Sequence, residues 1–167
     1  MKSKETEKLT LILGLGNTIL TDDGVGIYVV REIEKKVGDP RVVFREACLG
    51  GLELLEEIEG FRCVVLVDAV VTGRHPIGTL VRMRVEDVKG GSSLARHQIG
   101  FSEALRLGQA LKRNMPNKII IYGIEVKDVR TFGESCTPEV ATCIPKIVEE
   151  IIEERCNSGN NGNHYWK

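Results

Sequence analysis

A chain of 167 residues with 42% apolar content is long enough for one sizeable core and short for two, so one domain is the prior. Lysine plus arginine (23) nearly balances aspartate plus glutamate (24), leaving no basic excess to neutralise a phosphate backbone; nucleic acid is excluded as a partner class. Five cysteines without a C-x-x-C pair argue for reduced thiols rather than a disulfide framework or a cysteine-built zinc site.

The charged start Met1–Lys8 has no apolar leader core, and no stretch approaches the roughly 20 apolar residues of a membrane span. A cytoplasmic protein with no membrane contact is the expectation. Leu9–Leu15 (LTLILGL) is a continuous apolar run, the pattern of a strand covered on both faces. Val25, Val29, Ile33 and Val37 then recur at helical spacing, with Gly38 placed as a C-cap. Arg41–Glu46 reads as strand, Leu52–Glu59 as a short helix closed by Gly60, and Arg62–Val67 (RCVVLV) as a second buried strand. In Gly78–Val85 charged and apolar residues alternate, which predicts a half-exposed edge strand open to antiparallel pairing.

Phe101, Ala104, Leu105, Gly108 and Leu111 mark a further amphipathic helix, and Lys118–Tyr122 (KIIIY) the last central strand. Thr137-Pro138-Glu139 supplies a cap, a first-turn proline and a first-turn acid for a final helix to about Arg155, kinked at Pro145. The single α/β domain is thus placed at residues 1–156. The polar, Gly/Asn-rich stretch 157–167 is predicted to be a disordered tail, with His164 and Trp166 unassigned. Repeated β-α-β units imply right-handed crossovers and a mostly parallel sheet.

Ligands of open α/β sheets collect outside the carboxyl ends of the strands, so residues following each strand come first. Asp22 and Asp23 follow the first strand; one acid suffices to cap the next helix, and that role suits Asp22, with auxiliary base chemistry as its alternative. Asp23 then needs another purpose. Asp68 directly follows five apolar residues, where a carboxylate is costly unless a donor or cation meets it. His97 precedes the helix that begins near Phe101. Two hard oxygens and a borderline nitrogen from three loops form an incomplete shell for a divalent first-row metal, which suggests metal-assisted hydrolysis or metal recognition.

Gly14-x-Gly16 with Glu46 beyond also invites a dinucleotide-binding reading, but Ile19 occupies the third glycine position. Cys48 is available as a thiol partner for His97, although a buried, inert cysteine is the simpler expectation.

LGLGNTILTDDGVG (Leu13–Gly26) resembles the G-x-G-N-x-x-x-x-D-[DE]-x-x-G opening of the [NiFe]-hydrogenase maturation endopeptidases. GGLELLEEI, VVLVDAV, ARHQIGFSEAL and CTPEV resemble that family's later segments in the same order, from Leu11 to Arg155. The resemblance implies a three-layer α/β/α sandwich around a twisted, mostly parallel five-stranded sheet. It implies an aspartyl-type endopeptidase that removes the C-terminal extension of the hydrogenase large-subunit precursor after nickel insertion. The family's metal-binding acids fall on Asp23 and Asp68 and its histidine on His97, as both metal-recognising and catalytic residues. The nickel is then supplied by the substrate, with zinc or cadmium able to replace it in vitro. Gly50-Gly51 falls on a glycine loop expected to touch substrate. The rival classes are a non-proteolytic nickel-binding hydrogenase assembly chaperone and, last, a small NAD-binding module.

Overall fold

The computed structural model describes residues 10–88 and 101–158. Five strands, β1 (Thr10–Leu15), β2 (Val42–Ala47), β3 (Cys63–Val70), β4 (Leu80–Met83) and β5 (Lys118–Glu125), form one sheet in the order β2-β1-β3-β5-β4. The first four strands in that order run parallel, and β4 pairs antiparallel with β5 at the edge. The helices are α1 (Val25–Lys36), α2 (Leu52–Ile58), α3 (Phe101–Ala110), α4 (Pro138–Ala141) and α5 (Ile144–Ser158).

Alternation along the central strands assigns each side chain to a layer. Ile12, Val65, Val67, Ala69, Ile120, Tyr122 and Ile124 join one core with Val25, Val29 and Ile33 of α1 and Ile147, Val148 and Ile151 of α5. Leu11, Leu13, Leu15, Val64, Leu66 and Ile121 join the opposite core with Leu54, Leu55 and Ile58 of α2 and Phe101, Ala104 and Leu105 of α3. The result is the expected three-layer α/β/α sandwich. Among the described residues no helix is long and apolar enough to cross a membrane.

Helix α1 lies hard against the strand ends. A Cβ on Gly26 would stand 2.3 Å from the Val67 carbonyl oxygen and 2.6 Å from that of Leu15, so only glycine permits this approach. Gly16, at φ +139°, makes the turn out of β1, where a Cβ would meet the Asp23 carbonyl oxygen at 1.9 Å. These two contacts explain why glycines bracket the first motif.

Several boundaries differ from the sequence reading. Strands β3 and β5 each run three residues past their predicted ends, through Asp68 and Gly123, because Asp68 pairs with Gly123, Ala69 with Ile124 and Val70 with Glu125. Pro145 does not kink a long helix. The chain breaks between α4 and α5, and the proline takes the second position of α5, where its missing N–H is no loss. Chain exit from α1 passes through an extended Val37 (φ −108°), so Gly38 is not a left-handed cap. Helix α5 continues to Ser158, two residues into the segment predicted as tail. Leu9, His97, His164 and Trp166 lie outside the described residues.

Candidate functional site

The strand order reverses between β1 and β3: the chain steps outward from β1 to β2, then returns to the other side of β1 for β3. The crevice outside the carboxyl ends of two such strands is where open α/β sheets hold ligands. Asp68 belongs to β3, and Asp23 to the turn that follows β1.

Asp68 is in β3 rather than after it. It faces the α2/α3 layer, on the side of Val64 and Leu66, and is 1% exposed. Its partner across the sheet on β5 is Gly123, and β1 ends alongside, its Gly14 paired with the neighbouring Val67. Phe101, four positions after His97 in sequence, is buried in the layer covering that same face. His97 itself belongs to residues 89–100, outside the description. Of the three predicted site residues, Asp23 and Asp68 therefore lie among the described residues. Among the described residues, no group of three or more His, Cys, Asp or Glu side chains could hold a metal ion.

Asp23 lies in a one-turn 3-10 helix, Thr21–Gly24, that follows β1 and leads into α1; it is 2% exposed, and its Oδ2 accepts the Asn17 N–H at 2.9 Å. The turn carries backbone strain, with Thr21 at φ 43°. It is held there by the Thr21 N–H donating to the Gly133 carbonyl at 2.9 Å and by the Thr21 hydroxyl donating to the Thr131 carbonyl.

Asp22 is not the cap expected of it. Leu20 precedes the 3-10 turn and Gly24 precedes α1, and neither position shows a side-chain cap. The Asp22 carboxylate is wholly buried and turned toward the chain after β5, accepting the N–H groups of Lys127 (3.3 Å), Asp128 (3.0 Å) and Thr137 (2.7 Å) and the Thr137 hydroxyl (2.9 Å). Thr137 does sit at the N-cap of α4, but its hydroxyl goes to Asp22 and not to a helix N–H.

Glu125 was missed at the sequence level. It is 1% exposed at the end of β5, and accepts the Thr72 N–H (2.7 Å), the Gly73 N–H (2.9 Å) and the Thr72 hydroxyl (2.5 Å). Burial pushes its carboxyl up, but the hydrogen bonds from Thr72 and Gly73 and the nearby His75 outweigh it, and the net shift is downward. The signal for it was Ile124 and Val126 on either side, an apolar alternation continuing the strand beyond Gly123.

Two secondary candidates change character. Cys48 is exposed rather than buried, and borders a small cavity of about 170 Å³ with Gly16, Asn17, Thr18, Glu46 and Ala47. Glu46, the acid of the dinucleotide reading, is engaged by Arg31 in a two-pronged ion pair at 2.6 and 2.8 Å. Helix α1 also starts nine residues after Gly16, too late to offer its N-terminus to a pyrophosphate held by the glycine turn. The dinucleotide reading loses both its supports. Gly50 and Gly51 are buried, and Gly51 (φ 58°) makes the turn into α2.

The hydrogenase maturation protease family model matches residues 27–154. The chain belongs to the hydrogenase maturation protease family. It is similar to the hydrogenase expression/formation protein HupD of Rhodobacter capsulatus, with 31% identity over 148 residues, 86% of this chain and 70% of that protein. Similarity to the hydrogenase 2 maturation protease of Escherichia coli is 27% over 154 residues, covering 89% of this chain and 92% of the other. Among solved structures, the hydrogenase maturating endopeptidase HybD from E. coli superposes with a TM-score of 0.71 at 25% identity, over 90% of this chain and 94% of that one. The HybD protease from Thermococcus kodakarensis gives 0.62 at 26% identity, over 87% and 97%. Membership in this family makes the chain a peptidase, and its mostly parallel five-stranded α/β sheet is the fold of those enzymes.

Proposed function

We propose that this maturation protease removes the C-terminal extension of a [NiFe]-hydrogenase large-subunit precursor once nickel is in place, and that Asp23, Asp68 and His97 recognise the nickel the precursor carries. The observation that supports the site most is the burial of two carboxylates, Asp23 in the turn after β1 and Asp68 in the neighbouring β3, the pair of strands between which the strand order reverses. Buried carboxylates favour a cation, and two oxygens with one imidazole nitrogen leave coordination positions for the ligands that the precursor itself contributes.

In this reading nickel belongs to the substrate and is a gauge of its completeness. Docking the loaded metal against the three side chains aligns the scissile peptide, converting an encounter into an oriented reaction, and the metal polarises the carbonyl or the attacking water. Zinc or cadmium would occupy the same donors in vitro.

The assay is the mass of the large subunit after incubation of purified protein with nickel-loaded precursor. Loss of the C-terminal extension is expected with the native chain and not with Asp68→Asn or His97→Ala. Full cleavage by either variant would remove these residues from the site. A stable complex with no change in precursor mass would instead mark a nickel-binding assembly chaperone.

A further inference from the structure

Asp22 and Glu125 are buried carboxylates at the same sheet edge as Asp23 and Asp68, yet their lone pairs face inward, toward the protein's own loops. Every hydrogen bond they accept among the described residues comes from a backbone N–H or a threonine hydroxyl. Such charge-assisted bonds offset the cost of burying the acids, and they leave little capacity for a reacting proton or an incoming ligand.

What the bonds join is informative. Asp22 belongs to the Thr21–Gly24 turn that carries Asp23, and grips Lys127 and Asp128 just beyond β5. Two residues before Lys127, Glu125 grips Thr72 and Gly73 just beyond β3, the strand that carries Asp68. The end of β5 is therefore a tie between the exits of β1 and β3. From these contacts we infer that Asp22 and Glu125 are paired positioning residues, a brace across the carboxyl edge that sets the placement of Asp23 relative to Asp68. The inference rests on the proposed site, because it is those two acids whose spacing the brace would hold. Misplacing a reacting group by about 1 Å costs on the order of 100-fold in rate, so such a brace has a large effect without touching substrate.

Substitution chemistry separates this role from a direct one. In Glu125→Gln the amide oxygen still accepts the Thr72 and Gly73 N–H groups, and the amide nitrogen donates to the Thr72 hydroxyl, which is able to accept. Charge is lost and the bonds survive. Glu125→Ala loses both.

The experiment measures kcat and KM on nickel-loaded precursor, well below each variant's Tm, for native chain, E125Q, E125A, D22A and the double variant D22A/E125A. Each alanine variant is expected to lower kcat by about 10-fold or more with KM little changed, E125Q to restore most of kcat, and the double variant to lose less than the product of the singles. Native kcat in both alanine variants, E125Q as damaged as E125A, or a strictly multiplicative double variant would overturn the brace. If an alanine variant fails to fold, Asp22→Asn keeps the side chain's shape but turns one oxygen into a donor, which faces either the Thr137 N–H or the Lys127 and Asp128 N–H groups; native kcat in that folded variant would overturn it equally. Amide exchange distinguishes the brace from the protease reading. Should the native chain not cleave the precursor, that reading fails, while the brace still requires faster exchange at Lys127 and Asp128 in E125A and at Thr72 and Gly73 in D22A. Unchanged exchange at both would refute it.

Discussion

Two hollows of this protein contrast in size and in chemistry. Between α1 and α4/α5 a cavity of about 830 Å³ is bordered by Tyr28, Arg31, Lys35, Lys36, Cys136 and Ile144. At the carboxyl edge of the sheet the cavity beside Gly16 and Asn17 is about 170 Å³. The larger hollow is rimmed by exposed cations, all three of them ion-paired with acids, Arg31 with Glu46, Lys35 with Glu32 and Lys36 with Glu149, and such surface pairs are weak. Its one thiol, Cys136, is pushed up to about 12 by burial and then by the Asp22 charge, which keeps it protonated and unreactive near neutrality. Around the smaller hollow and the adjoining strand ends, four carboxylates are buried: Asp22, Asp23, Asp68 and Glu125. Volume therefore says less about chemistry here than the placement of costly groups.

The contrast breaks most visibly by substitution at the two sheet-edge acids. Asp23→Asn and Asp68→Asn should each lower precursor cleavage by on the order of 100-fold or more while leaving the circular dichroism spectrum native. Cleavage at the native rate in both would return attention to the larger groove.

Next in size is Gly26→Ala. Its methyl would press on the Val67 carbonyl, the residue before Asp68, and overpacking of this kind costs about 1–3 kcal/mol. For a chain of this length that is a fall in Tm of roughly 2–12 °C. An unchanged Tm would mean that α1 does not sit as close to the strand ends as the structure has it.

A smaller effect is expected in the pH dependence of stability. Below pH 9.0, the ordinary thiol value, Cys136 is protonated in both folded and unfolded chains. Between there and about 12 the unfolded chain releases the proton and the folded one retains it, so Cys136 makes stability fall as pH rises through this window. Cys136→Ala should therefore show a shallower loss of Tm over that range than the native chain. An equally steep loss would contradict the burial assigned to the thiol.

Smallest of all, Arg31→Ala removes the exposed pair with Glu46 and should cost about 0.2–1 kcal/mol by chemical denaturation, with cleavage unaltered. A large loss of activity in that variant would make the groove part of the substrate path.

Much of this architecture was legible before the structure. Unbroken apolar runs such as Leu11–Leu13 and Val64–Val67 mark strands covered on both faces, and the alternating charges of β4 mark the edge. What misled was local grammar overridden by tertiary contact. Gly123 looked like the end of a strand, but it continues β5 because it pairs with Asp68 and gives room to Met83 and Val70. Asp22 and Thr137 both looked like caps, and instead bond each other across 115 positions of chain. No periodicity or capping rule encodes that pairing. Asp68 stood out because a charge at the end of an apolar strand is expensive anywhere. Asp23 could be separated from Asp22 only by supposing that one acid is spare, and the structure instead gives the neighbouring acid a loop to hold.

The central claim is that the site reads nickel in the substrate, and the direct measurement is a comparison of nickel-loaded and nickel-free precursor incubated with the same enzyme, followed by mass spectrometry of the large subunit. The account predicts loss of the C-terminal extension from the loaded precursor alone. Equal cleavage of both would contradict it.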